Sequence, residues 1–400
     1  MNIVASHQAT LGRLELRVPT IDYLLLGAGL ALMGLGWVMV ASASITIADR
    51  HFGQPFYYAI RQGIYIVIAL CLGSAVFRVR FSYWKRASFF LLVYALALLL
   101  IVLIPGIGKE VNGSMRWISL GLVNLQASEL AKLLLLIYLA GYLVRHREEV
   151  SDRASGFFKP MAVLSVACFL LLMEPDFGAA AVLMTTALML LFLAGVRWRQ
   201  FLMVVAGAAI VVAMLVMSAP YRLQRLTAFL NPWADPFNSG FQLTQSLIAF
   251  GRGEWFGVGL GAGIQKLFYL PEAHTDFLLA VLGEELGLVG ILVVITLFSF
   301  MVYRAFHIGC VAEMTGNLFS AYCAYAIGIW LGLQSFINMG VSMGLLPTKG
   351  LTLPLLSYGG SSLIVSVMAI AMLLRIDYES RFSIDYVDVA KRKKKLRRHR

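Results

Sequence analysis

Uninterrupted apolar runs recur along this 400-residue chain. Several reach roughly 18 residues or more, and no other feature narrows the fold as much. In a lipid bilayer every backbone N–H and C=O must find a partner within the protein, which leaves helices and closed barrels as spanning structures. A barrel needs strands of about ten residues that alternate apolar and polar side chains, and these runs do not alternate. Charged residues make up 14% of the chain and hydrophobic residues 60%, against about 25% charged in a soluble domain. The expected fold is therefore all-α and polytopic.

Ten spans are predicted, at roughly 22–44, 57–77, 87–104, 128–144, 161–173, 177–196, 201–218, 276–303, 318–340 and 361–374. The first is followed by Ala41-Ser42-Ala43, which mimics a signal-peptidase site. Its apolar run, Tyr23 to Val40, is longer than the about 7–15 residues of a signal sequence, so it reads as a retained span. An even count places both termini on one side. The connectors holding Arg78 to Arg86, Arg145 to Lys159, Arg197 with Arg199, and Arg304 fall on that side too, which the positive-inside rule makes the cytoplasm. The chain then divides into a cytoplasmic segment (1–20), a membrane domain (21–380) and a basic cytoplasmic tail (381–400). A large extracytoplasmic loop, about 219–275, separates the seventh and eighth spans.

The formal net charge of +12 does not point to nucleic acid. The last ten residues, KRKKKLRRHR, hold eight Lys or Arg, which leaves +4 on the rest. Such a run grips anionic headgroups or, as charge runs usually do, stays solvated. The four cysteines, Cys71, Cys168, Cys310 and Cys323, are scattered without CxxC spacing, so neither a disulfide framework nor a zinc site is indicated.

Three loops on the outer side, 105–127, 219–275 and 341–360, are too long and too patterned to be simple connectors. The second ends on PEAHTDF, where Glu272, His274 and Asp276 crowd the start of an apolar span. A carboxylate at that position is costly to desolvate. Asp276 fits a general base at the membrane surface, its pKa raised by burial; it also fits a helix N-cap, and the two roles are compatible. Glu284 and Glu285, about two turns inside the same span, call for interior partners.

The fourth span has only twelve apolar residues, Leu133 to Val144, too few for a core about 30 Å thick. Its helix must begin earlier and carry Ser128, Glu129 and Lys132 into the membrane. Glu129 and Lys132 share a face at i, i+3. They form either an internal salt bridge or a lysine offered to a diphosphate and oriented by the glutamate. Arg116 beside Trp117 suits a phosphate or an interfacial anchor. Asp176 in PDFG reads as a helix cap. Lys349, Ser357 and the Gly359-Gly360 pair place a cation, a hydroxyl and pliable backbone in the third loop.

NGSMRWISLG, PDFG, FLNPWADPFNSGFQLTQSLIAFGRGEWFGVGLG, QKLFYLPEAHTDF, GEELG and LLPTKGLTLPLLSYGGSS occur in that order. Together they resemble the SEDS family of polytopic cell-wall polymerases, over about residues 20–380. GRGEWFGVGLG with QKLFYLPEAHTDF and PTKGLTLPL is similar to the family's division member of Gram-negative type, the elongation member being the near alternative. One departure is Phe241 in GFQL, where the family usually has tyrosine.

The resemblance implies a peptidoglycan glycosyltransferase that polymerises lipid II, a disaccharide-pentapeptide on undecaprenyl diphosphate. It places the family's essential aspartate on Asp276. It also implies a class B penicillin-binding protein and other divisome proteins as partners, in the bacterial inner membrane at the division septum. Asp276 would draw the proton from the 4-hydroxyl of an incoming lipid II as it attacks the anomeric carbon of the growing strand. The diphosphate leaves as an anion and needs countercharge rather than an acid. Arg116, Lys132 and Lys349, or a divalent cation such as magnesium or manganese, are the candidates. No sequence feature specifies a metal site. Glu129, His274 and Ser357 complete the residues expected to contact substrate. The rival readings are a lipid II flippase, which buried Glu and Lys would also suit, and a scaffold that recruits the cross-linking enzyme.

Overall fold

The computed structural model describes residues 21–111, 114–119, 121, 124–217, 229–238, 240–347 and 350–398. Each expected span coincides with a helix. These are α1 (Tyr23–Phe52), α2 (Tyr57–Arg78), α3 (Phe81–Val102), α4 (Ala127–Arg145), α6 (Ala154–Met173), α7 (Phe177–Leu193), α8 (Trp198–Met217), α10 (Leu278–Met314), α11 (Leu318–Ser342) and α12 (Gly360–Arg398). Two further helices lie between spans, α5 (Arg147–Asp152) and α9 (Phe241–Gly253). Eight of the helices are long and apolar enough to cross a bilayer, while α7 is apolar but shorter. This is a multi-pass membrane protein, in which α4, α11 and α12 form the buried centre and α2 and α3 turn much of their surface outward.

In two helices a buried polar group is met by a partner from another segment. The expected eighth span stops before Arg304, yet α10 continues to Met314 because Asp22 accepts from the Arg304 Nε at 2.8 Å. The other Asp22 oxygen caps α1, accepting from the amides of Leu24 and Leu25 at 3.2 Å each. Pro160 lies inside α6 rather than at its start. A proline there leaves the Gly156 carbonyl without its usual donor, and the Tyr142 hydroxyl supplies one from α4 at 3.1 Å.

The loop after α3 is a small antiparallel sheet, β1 (Gly108–Val111), β2 (Ser114–Ser119) and β3 (Asn124–Gln126), in that spatial order. Trp117 pairs with Lys109 on one side and Gln126 on the other, and β3 runs directly into α4.

The least expected feature is a break in α10. Its 37 residues would span about 56 Å as one rod, but Gly287 adopts φ 65° and splits it. The amides of Val258 and Gly259 donate to the carbonyls of Glu284 and Glu285 at 3.0 and 3.1 Å. The amides of Leu288 and Val289 donate in turn to the carbonyls of Glu254 and Trp255 at 2.9 and 3.1 Å. The GEWFGVG segment therefore lies against the break and repairs it. The side chains of the acidic pair anchor the stretch of loop from Gly261 to Lys266. Glu284 accepts from Arg252 at 3.1 Å and from the amides of Ile264 and Gln265. Glu285 accepts from Lys266 at 2.6 Å, from Ser42 and from the Gly261 amide. Both carboxylates are completely buried.

Such close backbone approach requires glycine. A Cβ on Gly253 would sit 1.8 Å from the Gly283 carbonyl oxygen, whereas one on Gly251 would meet nothing within 4 Å. Gly253→Ala is expected to destabilise the protein by about 1–3 kcal/mol through overpacking. Gly251→Ala should stabilise the same helix by about 0.5–1 kcal/mol. Thermal unfolding of the two variants in detergent checks this, and shifts of the same sign would contradict the packing described.

Candidate functional site

Asp276 lies in the turn that leads into α10, and two stitches fix it to the opposite loop. The Asn338 side-chain amide, on α11, donates to the Asp276 carbonyl at 2.9 Å and also to the Leu351 carbonyl. The Tyr358 amide donates to the His274 carbonyl at 3.0 Å. The loop so held passes close to the carboxylate, since a Cβ on Gly350 would lie 3.1 Å from Asp276 Oδ2. Asp276 keeps a partial opening to the surface, although its carboxyl is densely surrounded. Burial raises its pKa to about 7, the Glu272 carboxylate adds to the rise, and the Arg116 guanidinium opposes it.

Arg116 reaches this region from β2. Its Nε donates to the Glu174 carbonyl at 3.1 Å and its Nη2 to the Pro175 carbonyl, so the sheet is tied to the α6–α7 turn. Glu174 is wholly buried and neither of its carboxyl oxygens has a hydrogen-bond partner. Burial and then the neighbouring Asp176 push its pKa up to about 8, against the pull of Arg116. Asp176 itself is spent on structure. One oxygen caps α7 through the Ala179 amide at 3.1 Å and the other accepts from the Ser128 hydroxyl at 2.8 Å.

Glu129 and Lys132 pair at 2.9 Å in the interior, with Lys132 only 1% exposed. Lys132 also donates to the Gln334 Oε1 at 2.9 Å, and Gln334 donates onward to the Thr352 carbonyl at 3.1 Å. The pair thus stands beneath the third loop and braces it. His274 packs its ring against Tyr58 and Tyr358, with centroids 4.7 and 5.6 Å away. Burial lowers its pKa, which keeps it neutral, while Glu272 acts the other way. The Ser357 hydroxyl accepts from the Leu353 amide at 3.0 Å inside a buried turn. Lys349 lies outside the described residues. Among the described residues, no three His, Cys, Asp or Glu side chains converge on a point that could hold a metal ion.

Asp276, Arg116 and His274 thus meet at one end of the bundle, with the Glu129–Lys132 pair inward of them and Ser357 in the wall. Sequence reasoning passed over Asn338, Gln334 and Glu174. The first two did leave a signal. They are amides spaced i, i+4 on one face of an apolar helix, where unpartnered polar groups are costly.

The burial of Asp276 makes a testable stability statement. An unfolded aspartate ionises near about 3.9 and the folded one near about 7. The wild type therefore loses stability as pH climbs from about 4 through about 7, and an uncharged side chain does not. Unfolding temperatures at pH 5 and pH 8 should show Asp276→Asn gaining on wild type at the higher pH. An equal gap at both values would refute a buried, late-ionising acid.

Residues 23–382 match the family profile FTSW_RODA_SPOVE, described as cell cycle protein. The chain is 61% identical over 351 residues to the probable peptidoglycan glycosyltransferase FtsW of Thioalkalivibrio sulfidiphilus, covering 88% of each chain. It is 56% identical over 361 residues to the protein of the same description from Legionella pneumophila, covering 90% and 92%. Among solved structures it is similar to a chain of a peptidoglycan synthase complex that coordinates polymerisation and crosslinking. That match has a TM-score of 0.75 at 27% identity, over 90% and 98% of the two chains. It is also similar to the rod shape determining protein RodA of Thermus thermophilus, with a TM-score of 0.66 at 26% identity over 90% and 97%.

Proposed function

Because the chain belongs to the FTSW_RODA_SPOVE family, the SEDS proteins, we propose that it polymerises lipid II into glycan strands with Asp276 as the general base. It is a peptidoglycan glycosyltransferase of the cell-division type, as its relatives at 53–61% identity are described. The observation that carries the residue assignment is the Asp276 carboxyl. It is fixed by its own backbone to α11, is partly open to the surface, and has a pKa of about 7. A base poised near the working pH combines a useful ionised fraction with real proton affinity.

In the proposed reaction the acceptor 4-hydroxyl attacks the anomeric carbon of the lipid-linked strand and gives its proton to Asp276. The new glycosidic C–O bond forms as the bond to the diphosphate breaks. Undecaprenyl diphosphate departs with the electron pair. Arg116 uses Nε and Nη2 on the two carbonyls of the α6–α7 turn, and a guanidinium has five donors. The remaining N–H groups supply countercharge beside the base. Lys132 acts through the loop it braces rather than by touching phosphate, since its charge is spent on Glu129. Restraint of both substrates in one membrane supplies proximity.

A class B penicillin-binding protein is the partner this reading expects, supported by the similar chain found in a polymerisation and crosslinking complex. The site of action would be the division septum in the inner membrane, with both chain termini cytoplasmic.

With lipid II and its partner, Asp276→Asn should lose essentially all polymer while keeping wild-type unfolding behaviour at pH 5. Glycan of normal length from that variant would eliminate the base assignment. The wild-type rate should rise with pH through about 7 as Asp276 ionises. Arg116→Gln removes the charge that favours the ionised form, so its rising limb should move to higher pH as well as lower. An unshifted limb would mean that Arg116 does not sense the base.

A further inference from the structure

Two polar contacts tie α1 to α10 and together measure the bilayer. Asp22 accepts from the Arg304 Nε at 2.8 Å, and the Ser42 hydroxyl donates to Glu285 at 2.7 Å. The contacts are about 20 residues apart on each helix, which is about 30 Å of α-helix. Neither helix carries a charged residue between them. A charge-free band of that height matches a hydrocarbon core about 30 Å thick. With Arg304 on the inner side, the outer limit of the core runs through Ser42 and Glu285.

The segment that repairs the break in α10 lies at that limit. The carbonyls of Glu254 and Trp255 accept from the amides of Leu288 and Val289 at 2.9 and 3.1 Å, just inward of Glu285. The fold leaves the two aromatic rings of this segment uncovered, with Trp255 66% and Phe256 81% exposed. Among the described residues the Trp255 indole N–H has no hydrogen-bond partner. Directly inward, Val289, Leu292 and Val293 of α10 are exposed as well. Apolar surface is therefore continuous from the lipid-facing side of a spanning helix to the two rings.

Exposed aromatic residues on an outer loop ordinarily mark a surface for another protein. Here depth and residue type favour lipid. Tryptophan concentrates at the membrane–water boundary, where its ring lies against the acyl chains and its N–H finds a polar headgroup. Irregular backbone is tolerated at that depth only where its polar groups are paired, and this stretch is paired to α10.

We propose that Trp255 and Phe256 form a lipid anchor, inserted at the outer boundary of the hydrocarbon core, which holds the second half of the long loop down on the bilayer. The segment that carries the rings also clamps the outer part of α10, whose leading turn bears Asp276. The membrane thereby sets the height of that turn. The lipid contact holds whether or not the chain is a polymerase.

Depth-dependent fluorescence quenching tests the anchor in the full chain reconstituted into phosphatidylcholine vesicles. Trp255 emission is the difference between wild type and Trp255→Phe. The quenchers are bromines placed on the acyl chains near the headgroup, bromines placed near the chain ends, and iodide in the water on both sides. Trp255 should lose most emission to the shallow bromines, less to the deep ones and least to iodide. Strongest quenching by iodide would put the ring in water. Protection from all three would mean that another protein, or a second copy of this chain, covers it. Either result overturns the anchor. If Trp255→Phe does not fold, Phe256→Trp decides the matter, because its added emission must show the same order of quenching. Replacing both rings, by Trp255→Gln with Phe256→Gln, should accelerate amide exchange severalfold across residues 254–259 and 286–289 in the same vesicles. Unchanged exchange there would overturn the hold of the anchor on the break.

Discussion

The backbone exchange at Gly287 governs how this end of the molecule is built. A helix interrupted within an apolar bundle leaves carbonyls and amides that lipid cannot satisfy. Here the segment around Glu254 to Gly259 satisfies four of them by direct pairing. That arrangement demands glycine at 253, 257 and 287, where a Cβ would fall 1.8 to 2.4 Å from the opposing backbone. The repair segment belongs to the long loop, so the loop and the break hold each other in place. The first part of α10 then becomes a short, clamped helix whose leading turn presents Asp276. Glu284 and Glu285 hold the adjoining loop by ion pairs and backbone amides, so the base is fixed from behind as well as from α11.

The buried charges divide into those that are repaid and those that are not. Asp22, Glu129, Glu284 and Glu285 each accept from a cation, and Asp176 from an amide and a hydroxyl. Burying a paired ion is close to neutral, whereas removing one partner costs about 3–5 kcal/mol. These residues therefore hold helices in register and are ill placed to bind a passing substrate. Lys132 belongs with them, although its residue type and depth in the sequence equally suggest a phosphate ligand. The charges left to do chemistry are the ones without such repayment, and they cluster where the three outer loops meet.

Most of the helical frame was legible in the sequence because it follows from hydropathy alone. The fourth span shows how far such reasoning reaches. Twelve apolar residues are too few, so Glu129 and Lys132 had to enter the membrane, and they do so as a pair. The acidic pair at Glu284 and Glu285 was likewise expected to have interior partners, but not which ones, since Arg252, Lys266 and Ser42 come from distant segments. The strands of the 105–127 loop went unforeseen because their residues lack a clean period, and pairing within the loop shapes them; helix α9 is amphipathic but was passed over inside a segment read as loop. The break at Gly287 was hidden for another reason. GEELG continues an apolar run, and only the facing backbone reveals why the glycine is there. At the site, Asp276 stood out by its position at the lip of a span, whereas Glu174 was passed over because its burial is set by packing at the α6–α7 turn.

Two carboxyls, Asp276 and Glu174, share the influence of one arginine, and both have raised pKa values. Their surroundings decide which of them can act on substrate. Glu174 has no exposed surface and no hydrogen-bond partner, so a sugar hydroxyl has no route to it, and it is most stable as the neutral acid. Its backbone carbonyl, with that of Pro175, is what holds Arg116. A neutral Glu174 side chain adds no second carboxylate charge beside Asp176 in the turn, so it does not draw further on the guanidinium that also acts on the base. Ionised, it would compete with Asp276 and with any diphosphate for the same cation. The deep acid thus serves the shallow one by remaining protonated. The Asp276 carboxylate, partly open to the surface and bordered by Gly350 backbone, is left as the group that a substrate can reach.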